Sequence, residues 1–362
     1  MSVVVEYYHH LHRFPELSGQ EKKTSAYIFN ALKDMGYEPQ QYPCLGVTAD
    51  LVTDPELPWI LLRADMDALP VVENSCVSMP SEHPGVMHAC GHDSHVAMLL
   101  GAARALAGKK LPQNVRFLFQ PNEELTNGAE SMIEAGAIPE NLKACFAVHV
   151  WPGVPKGQLA TRPGALMASS ERLRLIVTGK SAHCGQRHLG ADALKTAADI
   201  VLHLPEVKAL AKDQRTVLFC GTLESGRAHN IVADSAEMTG TLRTFSAEDR
   251  RAVIDGLDEA VKEITKKYGT TAQVIWECST LALQNSGEYI EVLRTLQENF
   301  CPDVEASLTA EDFSRFQREA PGVLLWLGTG DTPPLHTPAF FVPEEILPIG
   351  VDFWTKVASY PW

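Results

Sequence analysis

The chain has 362 residues, 45% hydrophobic and 21% charged, the balance of an ordinary folded globular protein and more length than one ordinary core uses. Its 45 acidic against 31 basic side chains leave a formal net charge of −14, and no basic stripe is visible, which excludes nucleic acid and an anionic membrane surface as partners. No run of ~18 apolar residues marks a membrane span. The opening Met1–Glu16 lacks a basic start before a long apolar run, so the expected location is the cytoplasm.

In chain order, Thr24–Met35 has helical spacing and stops at Gly36. Three apolar strands follow, Trp59–Arg63, Val115–Phe119 and Cys145–Val148, with a long apolar helix from about His92 to Ala107 between the first two. Buried strands alternating with helices predict an α/β layer on a largely parallel sheet. From about Ser169 the strands alternate in period two, so one face is wet. The order there is strand (171–179), helix (189–204), strand (215–223), strand (236–245), helix (247–269), strand (272–278), which is the ferredoxin-like split motif. Ser246 reads as the cap of the second helix and Gly269 as its stop. After Leu283 the α/β pattern resumes with a helix over 286–300 and the strand Val323–Leu327. The expectation is a discontinuous catalytic domain, 1–168 and 283–362, carrying an inserted α+β domain at 169–282.

Chemistry gathers behind the apolar strands. Asp65 and Asp67 follow the first, Glu123 and Glu124 the second, His149 the third, and His336 lies in the loop after the last. In parallel α/β sheets ligands bind outside the carboxyl ends of strands. Cys90 and His92 add a thiol and an imidazole at the start of the apolar helix. Singly, each residue reads as a solvated turn or a packed histidine. Together they predict a metal site, and mixed sulfur, nitrogen and oxygen donors suit Zn²⁺, Mn²⁺, Co²⁺ or Ni²⁺ rather than Ca²⁺. A set with one cysteine, drawn from distant segments, favours an open catalytic site over a closed structural one. Of two adjacent glutamates, one can bind metal while the other acts as general base.

The eight cysteines (Cys44, Cys76, Cys90, Cys145, Cys184, Cys220, Cys278 and Cys301) form no Cys-x-x-Cys pair, which predicts free thiols. Cys184 beside His183 lacks a third group to orient a base, so packing is favoured over a nucleophile. His9, His10 and His12 read as a polar helix rather than a metal cluster. His95 reads as support or packing for His92, and Asp93 as either a supporting partner or a helix N-terminal acid. Asp312 is left without a role.

These residues resemble a known family. Met87–Ala103 (MHACGHDSHVAMLLGAA), preceded by RADMDALP and followed by HVWP, AEDFSRF and LHTPAF, is similar to the M20 metallopeptidases, in particular the amidohydrolases that cleave N-acyl amino acids, hippurate and auxin conjugates, or N-acetyldiaminopimelate. The likeness runs from Leu11 to His336. It implies a zinc-peptidase-like catalytic domain with a dimerising lid, two divalent ions, a homodimer or higher homo-oligomer, and a small N-acyl amino acid as substrate. By position it implies Cys90, His92, Glu124, His149 and His336 as metal ligands, with Cys90 shared by both ions. Glu123 becomes the general base and Asp67 orients a ligand; Asp65 stands where other M20 branches place a histidine. In the lid it implies His183, from the partner subunit, at the substrate carbonyl, and Asn230 and Arg243 at the substrate carboxylate.

The chain departs from the family's pattern at Asn122, where alanine is usual, at Ile231–Ala233, and at Arg187 in place of proline. Three alternatives stay open: a dipeptidase or aminopeptidase of the same family, a non-catalytic metal- or ligand-binding paralogue, and a regulator in which Cys90 senses oxidation.

Overall fold

A computed structural model describes residues 2–362, with the side chains of residues 278 and 279 outside that description. The chain divides into two compact units, one of Met1–Leu166, Gln284–Glu305 and Asp312–Trp362, the other of Met167–Leu283 and Ala306–Glu311. The segment Ala306–Glu311, expected in the first domain, groups with the second because the N–H of Ala168 is held by the carbonyls of Ser307 and Thr309 at 3.1 and 3.0 Å.

The first unit is built on an eight-stranded sheet in the order Gln40–Gln41, Val47–Leu51, Asn114–Gln120, Trp59–Asp65, Leu142–Pro152, Gly322–Gly330, Leu159–Ala160, Phe300–Cys301. The four strands from Asn114–Gln120 to Gly322–Gly330 pair in parallel, and Val47–Leu51 joins antiparallel. They read as continuous apolar runs because both faces are covered. The helix His92–Leu106 crosses one face, and from His92 through Ala103 every side chain is buried. The helices Val3–Arg13 and Leu347–Ser359 pack against it. Among the elements with no counterpart in the sequence-based expectations are the strand Val47–Leu51, the short helix Gly128–Glu134 and the helix Leu347–Ser359. The helix expected over 286–300 ends at Leu296, and Phe300–Cys301 instead pairs with Leu159–Ala160.

The second unit is a four-stranded antiparallel sheet, in the order Thr271–Thr280, Ser170–Thr178, Ser235–Arg243, Val217–Ser225, with the helices Ala193–Lys208 and Ala247–Tyr268. In chain order those strands are the fourth, first, third and second, which is the ferredoxin-like arrangement. Leu173, Leu175 and Val177 point alternately into a core shared with Ala197, Ile200 and Leu204 from one helix and Val253, Leu257 and Val261 from the other. Ser246 caps its helix by accepting from the N–H of Asp249 at 3.0 Å, and Gly269 ends it at φ 68°. The other helix starts at Ala193, four residues later than expected, because the Asp192 side chain caps it by accepting from the N–H of Lys195 at 3.2 Å.

Candidate metal centre

The parallel strands deliver their cargo to one edge. Asp65 ends its strand and Asp67 lies two residues on; Glu123 and Glu124 follow the strand ending at Gln120. His149 lies inside its strand, which continues to Pro152, rather than beyond its end. His336 lies six residues past Gly330 in a left-handed conformation, φ 62°, with its N–H donating to the carbonyl of Ala89 at 2.8 Å. That bond ties the His336 loop to the Cys90 segment. Between Cys90 and His92 the chain passes through Gly91 at φ 83°, where an added Cβ would collide with Val150 Cγ2. A glycine is needed there on both counts.

All five expected ligands come together. Cys90 Sγ is 3.5 Å from His149 Nε2 and 3.3 Å from His336 Nε2. Glu124 Oε1 is 3.3 Å from His336 Nε2 and 4.0 Å from His92 Nε2. Each buried histidine is set by its other nitrogen. His92 Nδ1–H donates to the Asp67 carbonyl at 3.0 Å and carboxylate at 3.1 Å, and His149 Nδ1–H donates to the Val150 carbonyl at 2.7 Å. Both Nε2 lone pairs therefore face the cluster. Asp67 also accepts from Ser18 Oγ at 2.8 Å and from the N–H of Glu124 at 3.0 Å, so one carboxylate orients a histidine and a glutamate.

The donor set suits a cation. His92 Nε2 and Glu124 Oε1 are buried without a hydrogen-bond partner among the described residues and lie 4.0 Å apart, so a cation between them would satisfy both. Donors about 2.0–2.3 Å from a tetrahedral ion lie roughly 3.3–3.7 Å from one another, which matches the separations around Cys90. Without that charge, burial and then the carboxylates of Glu124, Glu123 and Asp65 push the Cys90 thiol well above its usual range. Burial opposes a charged His92, yet Asp65, Asp67 and Glu124 carry it up to about 10. Burial and the neighbouring His95 hold His149 well below the usual range.

His95 is excluded as a simple ligand because both nitrogens are engaged: Nδ1–H donates to Asp65 at 2.5 Å and Nε2 accepts from the N–H of Val150 at 2.9 Å. Asp93 acts as the helix N-terminal acid, accepting from the Ser94 N–H at 2.8 Å, and it also accepts from His12 Nδ1 at 2.6 Å, a residue outside the expected ligand set. The polar-helix reading of His12 needs correction. It is 3% exposed and held between Asp93 and Glu73, which raise it to about 10 against the cost of burial. Seven of the cysteines are free thiols, and Cys278 lies outside the described side chains.

His183, Asn230 and Arg243 belong to the second unit. His183 is exposed, its Nδ1 accepting from the N–H of Gly185 at 3.1 Å, and the Asn230 carbonyl accepts from the N–H of Cys184 at 3.0 Å, so these two loops are tied together. Arg243 is half-buried at the end of its strand. The sequence reading missed Glu21, Arg63 and the Arg63–Asp312 pair. A lone arginine within an apolar strand was the available signal, since it needs a buried anion.

The model of peptidase family M20/M25/M40 matches residues 61–360, and the chain belongs to that family. It is a metal-dependent amidohydrolase. The N-acetylcysteine deacetylase of Bacillus subtilis is 34% identical, covering 96% of this chain and 94% of its own. Thermostable carboxypeptidase 2 of Saccharolobus solfataricus is 36% identical over 94% of this chain and 90% of its own. The crystal structure of the YXEP protein of Bacillus subtilis, described as a dinuclear metal binding peptidase of the M20 family, superposes with a TM-score of 0.88 at 32% identity, covering 98% of this chain and 96% of that one. No helix among the described residues is long and apolar enough to cross a membrane.

Proposed function

We propose that the chain hydrolyses the amide bond of an N-acyl amino acid, with an N-acetyl or aromatic acyl group, releasing a carboxylate and the free amino acid. The observation that carries this reading is the convergence of Cys90, His92, Glu124, His149 and His336 on a cluster of lone pairs with Glu123 beside it. Cys90, Glu124 and His336 would hold one divalent ion, and Cys90, His92 and His149 a second, each Zn²⁺, Mn²⁺, Co²⁺ or Ni²⁺. Such ions acidify a bound water and polarise a carbonyl. Asp67 keeps the His92 proton on Nδ1. Glu123 accepts the proton of the attacking water at its carboxylate and delivers it to the leaving nitrogen. His183 of the partner subunit takes the substrate carbonyl oxygen, and Asn230 with the Arg243 guanidinium takes its free carboxylate.

Likeness to a carboxypeptidase is compatible with this chemistry, because a peptide is an N-acyl amino acid with a longer acyl group. A homodimer is supported by the edge strand Val217–Ser225, paired on one side only among the described residues, whose Phe219 is 58% exposed. An apolar edge of that kind favours pairing with a second copy.

The test is turnover by the metal-loaded chain on N-acetyl and N-benzoyl amino acids and dipeptides, beside Glu123→Gln. The variant should lose about 10²- to 10⁴-fold in kcat with its ions retained. Near-normal rates in it would remove Glu123 from the mechanism.

A further inference from the structure

The strand Trp59–Asp65 is apolar except for Arg63 and Asp65, and Arg63 is 2% exposed. A buried guanidinium must be paired in several directions at once. Here Nη1 donates to Asp65 Oδ2 at 2.7 Å, Nε to Gln120 Oε1 at 2.8 Å and Nη2 to Asp312 Oδ1 at 3.0 Å. Asp65, Gln120 and Asp312 are all 0% exposed.

The two carboxylates lead to different parts of the centre. Asp65 passes the contact to His95, and His95 to the N–H of Val150, next to His149. Asp312 leads to the base. Both its oxygens accept from Gln120 Nε2 at 2.8 Å, and Oδ2 accepts from the N–H of Ala129 at 2.9 Å. Gln120 closes the strand before Glu123, and Ala129 is the second residue of the helix after it. One carboxylate thus clamps both ends of the loop 121–127. The N–H of Asp312 itself donates to Glu123 Oε1 at 3.4 Å.

We propose that Asp312 is a positioning residue for Glu123, and that Arg63 joins two functionally separate arms, Asp65–His95 holding the metal ligands and Asp312–Gln120 holding the general base. This rests on the reading of Glu123 as that base. Asp312 is placed as a positioning residue because its oxygens accept from Arg63, Gln120 and the N–H of Ala129. An amide in its place would turn a donor toward at least one of those donors, and the loop would shift. A misplacement near 1 Å costs on the order of 100-fold in rate.

The experiment compares Asp312→Asn and Asp65→Asn with the wild-type chain, all metal-loaded, on the substrate turned over fastest. Asp312→Asn should lower kcat about 10- to 100-fold with KM and bound metal unchanged. Asp65→Asn should weaken metal binding about 10- to 100-fold. Loss of activity in Asp312→Asn that follows loss of metal, or that added metal restores, overturns the proposal. If Asp312→Asn does not fold, Gln120→Leu removes the other half of the clamp and should lower kcat at unchanged metal content; wild-type kcat in it overturns the proposal equally. Wild-type turnover abolished by Glu123→Gln but kept by Asp312→Asn refutes this inference alone. A metal-loaded wild-type chain with no turnover refutes the reaction and this inference with it.

Discussion

Glu21 lies just before the helix Lys22–Asp34, with its side chain 0% exposed. One oxygen accepts from the N–H of Asn122 at 2.8 Å; the other is buried without a hydrogen-bond partner among the described residues. Burial, with the charge of Asp67 adding to it, pushes the carboxyl up from 4.5 to about 7. A shift of that size corresponds to about 3 kcal/mol of preference for the protonated form. The folded chain therefore holds this proton more tightly than the unfolded one. The stabilisation is complete below the unfolded value of 4.5 and is lost as pH rises through about 7. Glu21→Gln is neutral throughout and can still accept from Asn122. Its stability relative to the wild-type chain should rise by about 2 kcal/mol between about pH 5 and about pH 8. In paired thermal unfolding that is roughly 4–8 °C in Tm. Taking the difference between two proteins cancels every other titrating group. A gap that stays constant across this range would refute the account of Glu21 as a buried, strained acid beneath the base-bearing loop.

Gly91→Ala places a methyl against Val150 in a left-handed conformation, and the backbone alone should cost about 1–2 kcal/mol; Tm and bound metal should both fall, and unchanged values would show that the Cys90–His92 turn can relax. Cys90→Ser should weaken both ions, since the thiol lies between His149 and His336; metal analysis showing two tightly held ions would remove the shared-ligand role. Ser246→Ala should cost about 1 kcal/mol by removing a helix cap, with kcat unchanged; calorimetry showing no loss would mean that water replaces the cap.

Asn122 shows how a departure in sequence acquires a physical meaning only in three dimensions. Where the family usually has alanine, this residue sits at φ 60°, a region asparagine tolerates better than alanine does. Its N–H meets Glu21, and its side chain donates to Asn127 across the same loop. Periodicity contains neither fact, because φ at one residue leaves no pattern in its neighbours. His12, read from the sequence as part of a polar helix, is buried between Asp93 and Glu73 only because distant segments close over it.

Local physics settled a great deal from the sequence alone. Period-two strands, Ser246 and Gly269 mark the β-α-β-β-α-β unit because caps and alternation act over a few residues. Apolar strands followed by Asp65, Asp67, Glu123 and Glu124 reveal a sheet edge rich in acids because parallel strands all point their ends the same way. The tertiary structure decided what each group does there. It engaged both nitrogens of His95 and left the Nε2 of His92 facing Glu124. It gave Asp312, 249 residues from Arg63, a place against that guanidinium. Proton positions and buried ion pairs depend on which groups meet across the fold, and a one-dimensional pattern does not carry that.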